Sequence, residues 1–332
     1  GNEDAIILAK VALDRLIEFG NEDIKKYIKS VLRKNKWSIL PLSIFPTAPG
    51  QGAIAIEAKK NNKLLKGIIQ KINSYKAFKN VQKEKLTLSK YGGGCHQKIG
   101  TSVWDENGIK LISLVGMSHD LKLLKNFGLN KPYNKTAKLN KSNRLYPTQN
   151  DEKLFNRKAI DNSKKIKNIK DSFIYLSRKN VLDKVKYIDN SNILWTSGIN
   201  CWENAVSRGY WIHGTSDSFG EWETSSIENF LSKNLPKYKL SHDKSSSDNY
   251  ELIPVYKLTI KKNIKKNINL NDKTHFFWMS PLQFDLALDL FPDIINGNHS
   301  CGFGRTYNHL KERLPNEKNI TRFHSYKSWL EL

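Results

Sequence analysis

Tyr91-Gly92-Gly93-Gly94-Cys95-His96-Gln97-Lys98-Ile99-Gly100 is the stretch on which the reading of this chain turns. Three glycines run straight into a cysteine. Glycine reaches positive φ at little steric cost and lets other atoms come close to the backbone. Such a turn presents the Cys95 thiol on a bare loop, open to a large partner, and a partly ionised thiol is a good nucleophile. The plainer alternative is a turn beside a small buried cysteine, a common use of a free thiol. A phosphate-cradling loop is disfavoured, because that motif ends in Gly-Lys-Ser/Thr where this one has Gly94-Cys95-His96.

Upstream lies a second motif, Pro46-Thr47-Ala48-Pro49-Gly50-Gln51-Gly52-Ala53-Ile54-Ala55-Ile56-Glu57, and between the two stand Glu84-Lys85 and Leu88. In this order and spacing the segments resemble the C-terminal half of the hydroxymethylbilane synthase family, also called porphobilinogen deaminase. That family carries Pro-Ala-x-Gly-Gln-Gly-Ala-x-x-x-Glu, then Glu-Arg, then Gly-Gly-Cys-x-x-Pro-Ile-Gly. The resemblance covers about residues 1 to 115 and continues more weakly to about 150. Lys85 stands where the family has Arg, and Lys98 where it has Pro. The resemblance implies that Cys95 is the thioether anchor of a dipyrromethane cofactor. It also implies that Arg15 binds substrate or cofactor carboxylates; a surface helix arginine is the alternative at that position.

The chain has 332 residues, a length that suits about two domains. No run of about 18 apolar residues marks a membrane span, and no basic-apolar-small segment marks a secretion signal. The text opens on Gly1 and leads straight into Asp4-Ala5-Ile6-Ile7-Leu8-Ala9, so the expectation is a piece whose upstream portion is missing. The cysteines at 95, 201 and 301 form no C-x-x-C pair, which argues against a zinc ribbon or redox dithiol and suits a reducing cytoplasm. The net charge is +23, but only 9 of the 55 basic residues are arginine. Nucleic-acid readers favour Arg for bidentate contacts, so a Lys-rich drift over solvated faces, or a field that attracts acidic substrates, fits better. No nucleic-acid or membrane partner is expected.

In chain order, residues 4–18 read as a strand running into an amphipathic helix, and residues 21–36 as a basic helix. Ala53-Ile54-Ala55-Ile56 reads as a strand after a Gly-rich turn. Residues 60–90 read as two helices with Lys outward and Tyr75 and Phe78 inward. Asn107-Gly108 between two apolar runs predicts a hairpin. The expected domains are 1–70, a remainder of the first two deaminase domains; 71–148, the deaminase C-terminal domain carrying the cysteine; 149–171, a Lys/Asn-rich linker; and 172–332, a second module.

From residue 172 strands alternate with helices, so the fold class is α/β with a mostly parallel sheet, beside an α+β part with a small antiparallel sheet. Strands end in Ser197-Gly198, Ser280-Pro281 and Gly304-Arg305-Thr306, each ahead of a helix. In such sheets ligands bind at strand C-termini and helix N-termini attract anions; plain helix capping is the alternative for each. Pro254-Val255-Tyr256-Lys257-Leu258, Trp278-Met279-Ser280-Pro281-Leu282 and Gly302-Phe303-Gly304-Arg305-Thr306 together resemble the uroporphyrinogen-III synthase family, over about 172–332. The segment is short for both lobes of that family. Ser197, Gly198, Ser280 and Thr306 are the expected substrate-binding residues, and Tyr256 the expected general acid, with a solvated strand tyrosine as its alternative. His299-x-Cys301 supplies two potential ligands, too few for a metal site.

The two resemblances imply consecutive steps of porphyrin (haem) biosynthesis in the cytoplasm. A transferase condenses four porphobilinogen molecules into hydroxymethylbilane, and a lyase closes it to uroporphyrinogen III. The family's acidic active-site residue and most of its carboxylate-binding arginines lie upstream of the part matched here. The expectation is therefore that the chain alone is inactive as a deaminase and needs that half in cis or trans. Two other classes remain open: a non-catalytic remnant, and a Lys-rich RNA-binding protein with salt-steep affinity.

Overall fold

The computed structural model describes residues 3–94, 97–106, 108–129, 144–149, 151, 153–221, 225–231, 235–246 and 249–331. Cys95 and Asn107 lie outside the described residues. The chain forms two compact units, Leu40–Thr136 and Gly1–Ile39 with Ala137–Leu332.

The first residues form helices α1 (Lys10–Phe19) and α2 (Glu22–Lys34). Ile6, Ile7 and Leu8 form no strand and are exposed. The start of α2 is set by Asn21, whose side chain accepts from Ile24 N at 2.9 Å, and its ends carry Glu22 and Asp23 in the first turn and Arg33 and Lys34 in the last. Both features lower the free energy of the helix ends. Residues 37–39 run along residues 211–213: Ile39 N donates to His213 O, and Trp211 Nε1 donates to Trp37 O. The backbone around Trp211-Ile212-His213 is thus partly satisfied by residues 37–39, and strand pairing starts at Gly214.

The unit Leu40–Thr136 holds α3 (Lys63–Ile72), α4 (Tyr75–Ser89), β1 (Ile99–Glu106), β2 (Ile109–Met117) and β3 (Leu123–Leu129). The three strands form an antiparallel meander, with Trp104 stacked on Phe127 at 5.7 Å. The predicted hairpin is present, and Glu106 pairs with Ile109 across it. Residues 53–56 are irregular instead of a strand, with Ile54 84% exposed, because no described strand pairs with them. Tyr75 and Phe78 also depart from expectation: they are 68% and 56% exposed, since α4 turns its other side toward β1.

The remaining chain adds β4 (Leu145–Tyr146), β5 (Phe155–Ala159), α5 (Ser163–Lys167), β6 (Phe173–Leu176), β7 (Ile193–Thr196), α6 (Ile199–Ser207), β8 (Gly214–Thr215), β9 (Lys237–His242), β10 (Glu251–Ile260), α7 (Ile264–Asn267), β11 (His275–Trp278), α8 (Pro281–Leu290), β12 (Asn298–Cys301), α9 (Arg305–Arg313), β13 (Ile320–Arg322) and α10 (Tyr326–Leu330). They build two lobes. One is a six-stranded sheet in the order β5-β10-β9-β6-β7-β8, parallel except for β5. The other is a parallel four-stranded sheet, β13-β12-β11-β4. The chain starts the small sheet with β4, leaves to build the large one, and returns at β11. Its two crossings meet the large sheet at neighbouring strands, entering at β5 and leaving from β10.

The stretch expected as a linker, 149–171, therefore carries β5 and α5. Its composition hides them because β5 is an edge strand with four of its five residues exposed, where Lys and Asn are at home. Ile174, Leu176, Leu194, Leu240 and Ile253 fill the core of the large lobe. Tyr146, Phe276, Trp278, Phe284 and Leu310 fill that of the small one. Full burial of each such side chain contributes about 1.5–3 kcal/mol.

Candidate functional site

A cavity of about 270 Å³ lies between the two lobes. It sits where the strand C-termini converge: β4 ends at Tyr146, β6 leads to Arg178, β9 ends at His242 and β11 leads to Met279 and Ser280. Crevices outside the carboxyl ends of parallel strands are the usual ligand sites of such sheets.

Tyr256, predicted from the sequence, lines this cavity from β10 and is buried. Burial raises its phenol pKa, while the Arg178 and Arg157 charges pull it down and Asp243 pushes it up. The phenol stays protonated at neutral pH and can donate. Ser280 also lines the cavity, and its hydroxyl caps α8 by accepting from Gln283 N at 3.3 Å. The capping and site readings of Ser280 are thus compatible.

The other predicted residues lie elsewhere. Ser197 and Gly198 close β7 against residue 218: Ser218 N donates to Ser197 O at 2.8 Å, and a Cβ on Gly198 would meet Ser218 Oγ at 2.7 Å. Thr306 is buried in the first turn of α9 and is not part of the cavity lining. Arg15 is exposed on α1. Cys95 lies outside the described residues; the three glycines before it have φ of 98°, 67° and 93°, all left-handed.

The sequence reading missed Arg157, Arg178 and His242. Arg178 donates from Nη2 to Met279 O at 3.1 Å, which links the lobes at the cavity. Its pKa is lowered first by burial; the nearby Arg157 charge adds to this and Tyr256 opposes it. His242 has its pKa pushed down to about 4, mainly by burial and next by Arg178, so its ring is neutral; its buried Nδ1 has no hydrogen-bond partner among the described residues. A signal existed: arginine is scarce in this Lys-rich chain, and Arg178 stands one residue past a short apolar strand.

A second interlobe contact is ionic. Glu221 receives Lys239 Nζ at 2.6 Å and Arg305 Nε at 3.0 Å. Arg305 also donates from Nη1 to Ser246 O and Ser246 Oγ. Beside it Phe219 stacks on Phe303 at 5.4 Å.

Cys201 and Cys301 are buried, and burial pushes both thiols up to about 12, so neither is a nucleophile at neutral pH. His299 uses Nδ1 to accept from Trp278 Nε1 at 2.9 Å. Among the described residues no group of three His, Cys, Asp or Glu side chains is placed to hold a metal, and no helix is long and apolar enough to cross a membrane.

The chain is similar to porphobilinogen deaminases. It is 37% identical to that of Caldicellulosiruptor saccharolyticus over 97 residues, 29% of this chain and 28% of that protein. It is 34% identical to that of Bacillus cereus over 124 residues, 37% of this chain and 36% of that protein. It is 32% identical to that of Francisella tularensis subsp. novicida over 126 residues, 38% of this chain and 37% of that protein. The match thus spans about a third of each curated relative. No family model matches the chain.

Proposed function

We propose that this chain serves tetrapyrrole biosynthesis: its first part is the cofactor-carrying portion of a hydroxymethylbilane synthase, and its two-lobed part a uroporphyrinogen-III synthase-like module. The observation that carries the reading is the 32–37% identity to porphobilinogen deaminases over about a third of the chain. Dipyrromethane, bound as a thioether at Cys95, supplies the acceptor pyrrole on which the product chain grows. Three consecutive left-handed glycines ahead of Cys95 fit a tight turn that leads the chain to the thiol.

The two-lobed reading draws support from architecture. Two mostly parallel sheets joined by paired crossings enclose a cavity, and Tyr256 and Ser280 line it. Tyr256 is the proposed general acid for departure of the hydroxyl from hydroxymethylbilane. Substrate carboxylates suit the basic cavity wall, and the proposed setting is the cytoplasm. Covalent linkage of the two parts raises the local concentration of the unstable intermediate at the second site.

Two assays test the parts separately. Purified chain incubated with porphobilinogen is expected to make no hydroxymethylbilane; its appearance overturns the proposed need for an upstream half. A peptide mass map of chain loaded with that half is expected to find a dipyrromethane adduct on Cys95, and an unmodified Cys95 in loaded enzyme rejects the anchor. Hydroxymethylbilane supplied from a separate deaminase is expected to yield the ring-inverted isomer, and Tyr256→Phe to slow this by 10²-fold or more. Only the uninverted isomer from the native chain would reject the cyclase reading.

A further inference from the structure

We propose that Arg157 and Arg178 form a two-point carboxylate clamp in the interlobe cavity, which takes two acidic arms of one polycarboxylate ligand. The proposal rests on the cavity being the ligand site of the two-lobed part.

Two of the chain's nine arginines line this one cavity. Among the described residues neither is paired with a carboxylate. Arg178 spends one N–H on the Met279 carbonyl, and the one acid among the described lining residues, Asp151, accepts from Thr148 N at 2.6 Å. Lys153 adds a third positive charge to the wall. Arg178 is half-buried and desolvated, a costly state for a charge with no carboxylate beside it, while Arg157 stands exposed at the cavity rim. An anion that bridges the two relieves the Arg178 desolvation and the repulsion between them. Guanidinium rather than ammonium matters, because its planar fork matches a carboxylate with two parallel hydrogen bonds.

The scaffold aims both forks. Arg157 on β5 pairs with Leu258 of β10, so Arg157, Leu258 and Tyr256 share one face of the sheet. All three line the cavity. Arg178 leaves the end of β6, and its bond to Met279 fixes the plane of the guanidinium while leaving its other N–H groups for a ligand. The unpartnered His242 Nδ1 lies on the same wall, with its ring 5.9 Å from that of Tyr256. A neutral imidazole nitrogen there can accept a hydrogen bond from a donor that a carboxylate does not offer, such as a pyrrole N–H.

A volume of about 270 Å³ is small beside the usual ligand site of about 300–1,000 Å³. The cavity therefore reads the arms of a large ligand rather than enclosing it. Because Arg178 also holds the Met279 carbonyl of the other lobe, a carboxylate on Arg178 acts at the seam between the lobes.

The test is calorimetric titration of the full chain with benzenehexacarboxylate, and separately with uroporphyrin. Arg157→Gln, Arg178→Gln, Arg178→Lys and, as a control for overall charge, Arg33→Gln on the exposed side of α2 are compared. Each cavity Arg→Gln change is expected to weaken benzenehexacarboxylate at least tenfold, Arg178→Lys to restore only part of it, and Arg33→Gln to leave it unchanged. Arg157 makes no described contact that folding needs, so Arg157→Gln decides the matter even where Arg178→Gln fails to fold. Absence of binding by the native chain, equal affinity in Arg157→Gln, or an equal loss in Arg33→Gln overturns the clamp. Arginine-dependent binding of benzenehexacarboxylate without any binding of uroporphyrin sustains the clamp and rejects the tetrapyrrole reading.

Discussion

Glu84 is the side chain that fixes the loop ahead of the antiparallel sheet. It is 8% exposed, and its two oxygens accept from Gly50 N and Val103 N, both at 2.7 Å. One carboxylate thus ties the Gly50-Gln51-Gly52 turn to the middle of β1. The same seam is closed by Thr101 N donating to Thr47 O, and by the absence of a side chain at Gly100, where a Cβ would meet Pro46 O at 2.4 Å. Hydrogen bonds to a charged group contribute about 1.5–3 kcal/mol each, and removing the acceptor leaves two backbone donors unpaired. Glu84→Ala is expected to destabilise the unit Leu40–Thr136 by about 3 kcal/mol or more, and Glu84→Gln by less. Urea unfolding followed by Trp104 fluorescence measures this, and an unchanged midpoint for Glu84→Ala would sink the idea. The sequence singled out Glu84 by motif, yet not its task, because its partners are main-chain groups 34 and 19 positions away.

Elements were legible in proportion to how much of their stability is local. The helices α2, α3 and α4 carry their own caps, Asn21, Asn62 and Ser74, and their positions follow from the sequence. Strands β6, β7 and β11 are short apolar runs ahead of helices and read equally well. Strands β4 and β5 did not, because two residues or an exposed Lys-bearing edge give no pattern until a neighbour supplies the pairing. Residues 53–56 failed in the opposite way: the alternation of alanine and isoleucine is strand-like, but no described partner exists. The cavity was half legible. Tyr256 and Ser280 announced themselves by flanking motifs, while Arg157 reaches the site only through the pairing of β5 with β10. Ser280 also tests the element scale directly. Its hydroxyl is the N-cap of α8 and Pro281 follows at the first helical position. Ser280→Ala is expected to cost about 1 kcal/mol, whereas Ser280→Asp keeps the cap and places a negative charge in the cavity. Thermal unfolding should therefore rank Ala below Asp, while benzenehexacarboxylate binding ranks Asp below Ala. The same order in both measurements would separate Ser280 from the site.

At the scale of the whole two-lobed part, cohesion between the sheets depends on buried charge, and its pH response on buried imidazoles. Glu221 joins Lys239 of the large lobe, whose side chain is 6% exposed, to Arg305 of the small one. Burial lowers the Lys239 pKa and Glu221 counteracts this. Glu221→Gln strands the lysine charge, and removing one partner of a buried pair costs about 3–5 kcal/mol, a range whose lower end applies here because Arg305 is partly solvated. Scanning calorimetry should show the transition of this unit moved down and the lobes melting separately; an unchanged single transition would refute the role of the triad. Acid acts through different groups. His213, His242, His299 and His324 all have pKa values pushed down to about 4, with burial the first cause in each. Two are also committed as acceptors: His213 Nδ1 receives Leu194 N–H at 3.1 Å, and His299 Nδ1 receives Trp278 Nε1–H at 2.9 Å. Protonating either ring nitrogen removes the lone pair that makes the bond. In the unfolded chain a histidine titrates near about 6.5, so between there and about 4 the unfolded state holds more protons than the folded one. Stability therefore rises with pH across this window, and it is lost as pH falls from about 6.5 toward 4, by up to about 1.4 kcal/mol per pH unit for each histidine. Chemical denaturation at pH 7, 6 and 5 reads this as a midpoint that falls steadily below pH 6.5, before the carboxylates begin to protonate. Trp278 reports the small lobe, since its indole N–H loses its acceptor when His299 charges. A midpoint independent of pH from 7 to 5 would mean that these imidazoles are solvated, and that the cores around Trp278 and Trp195 are looser than the geometry described above.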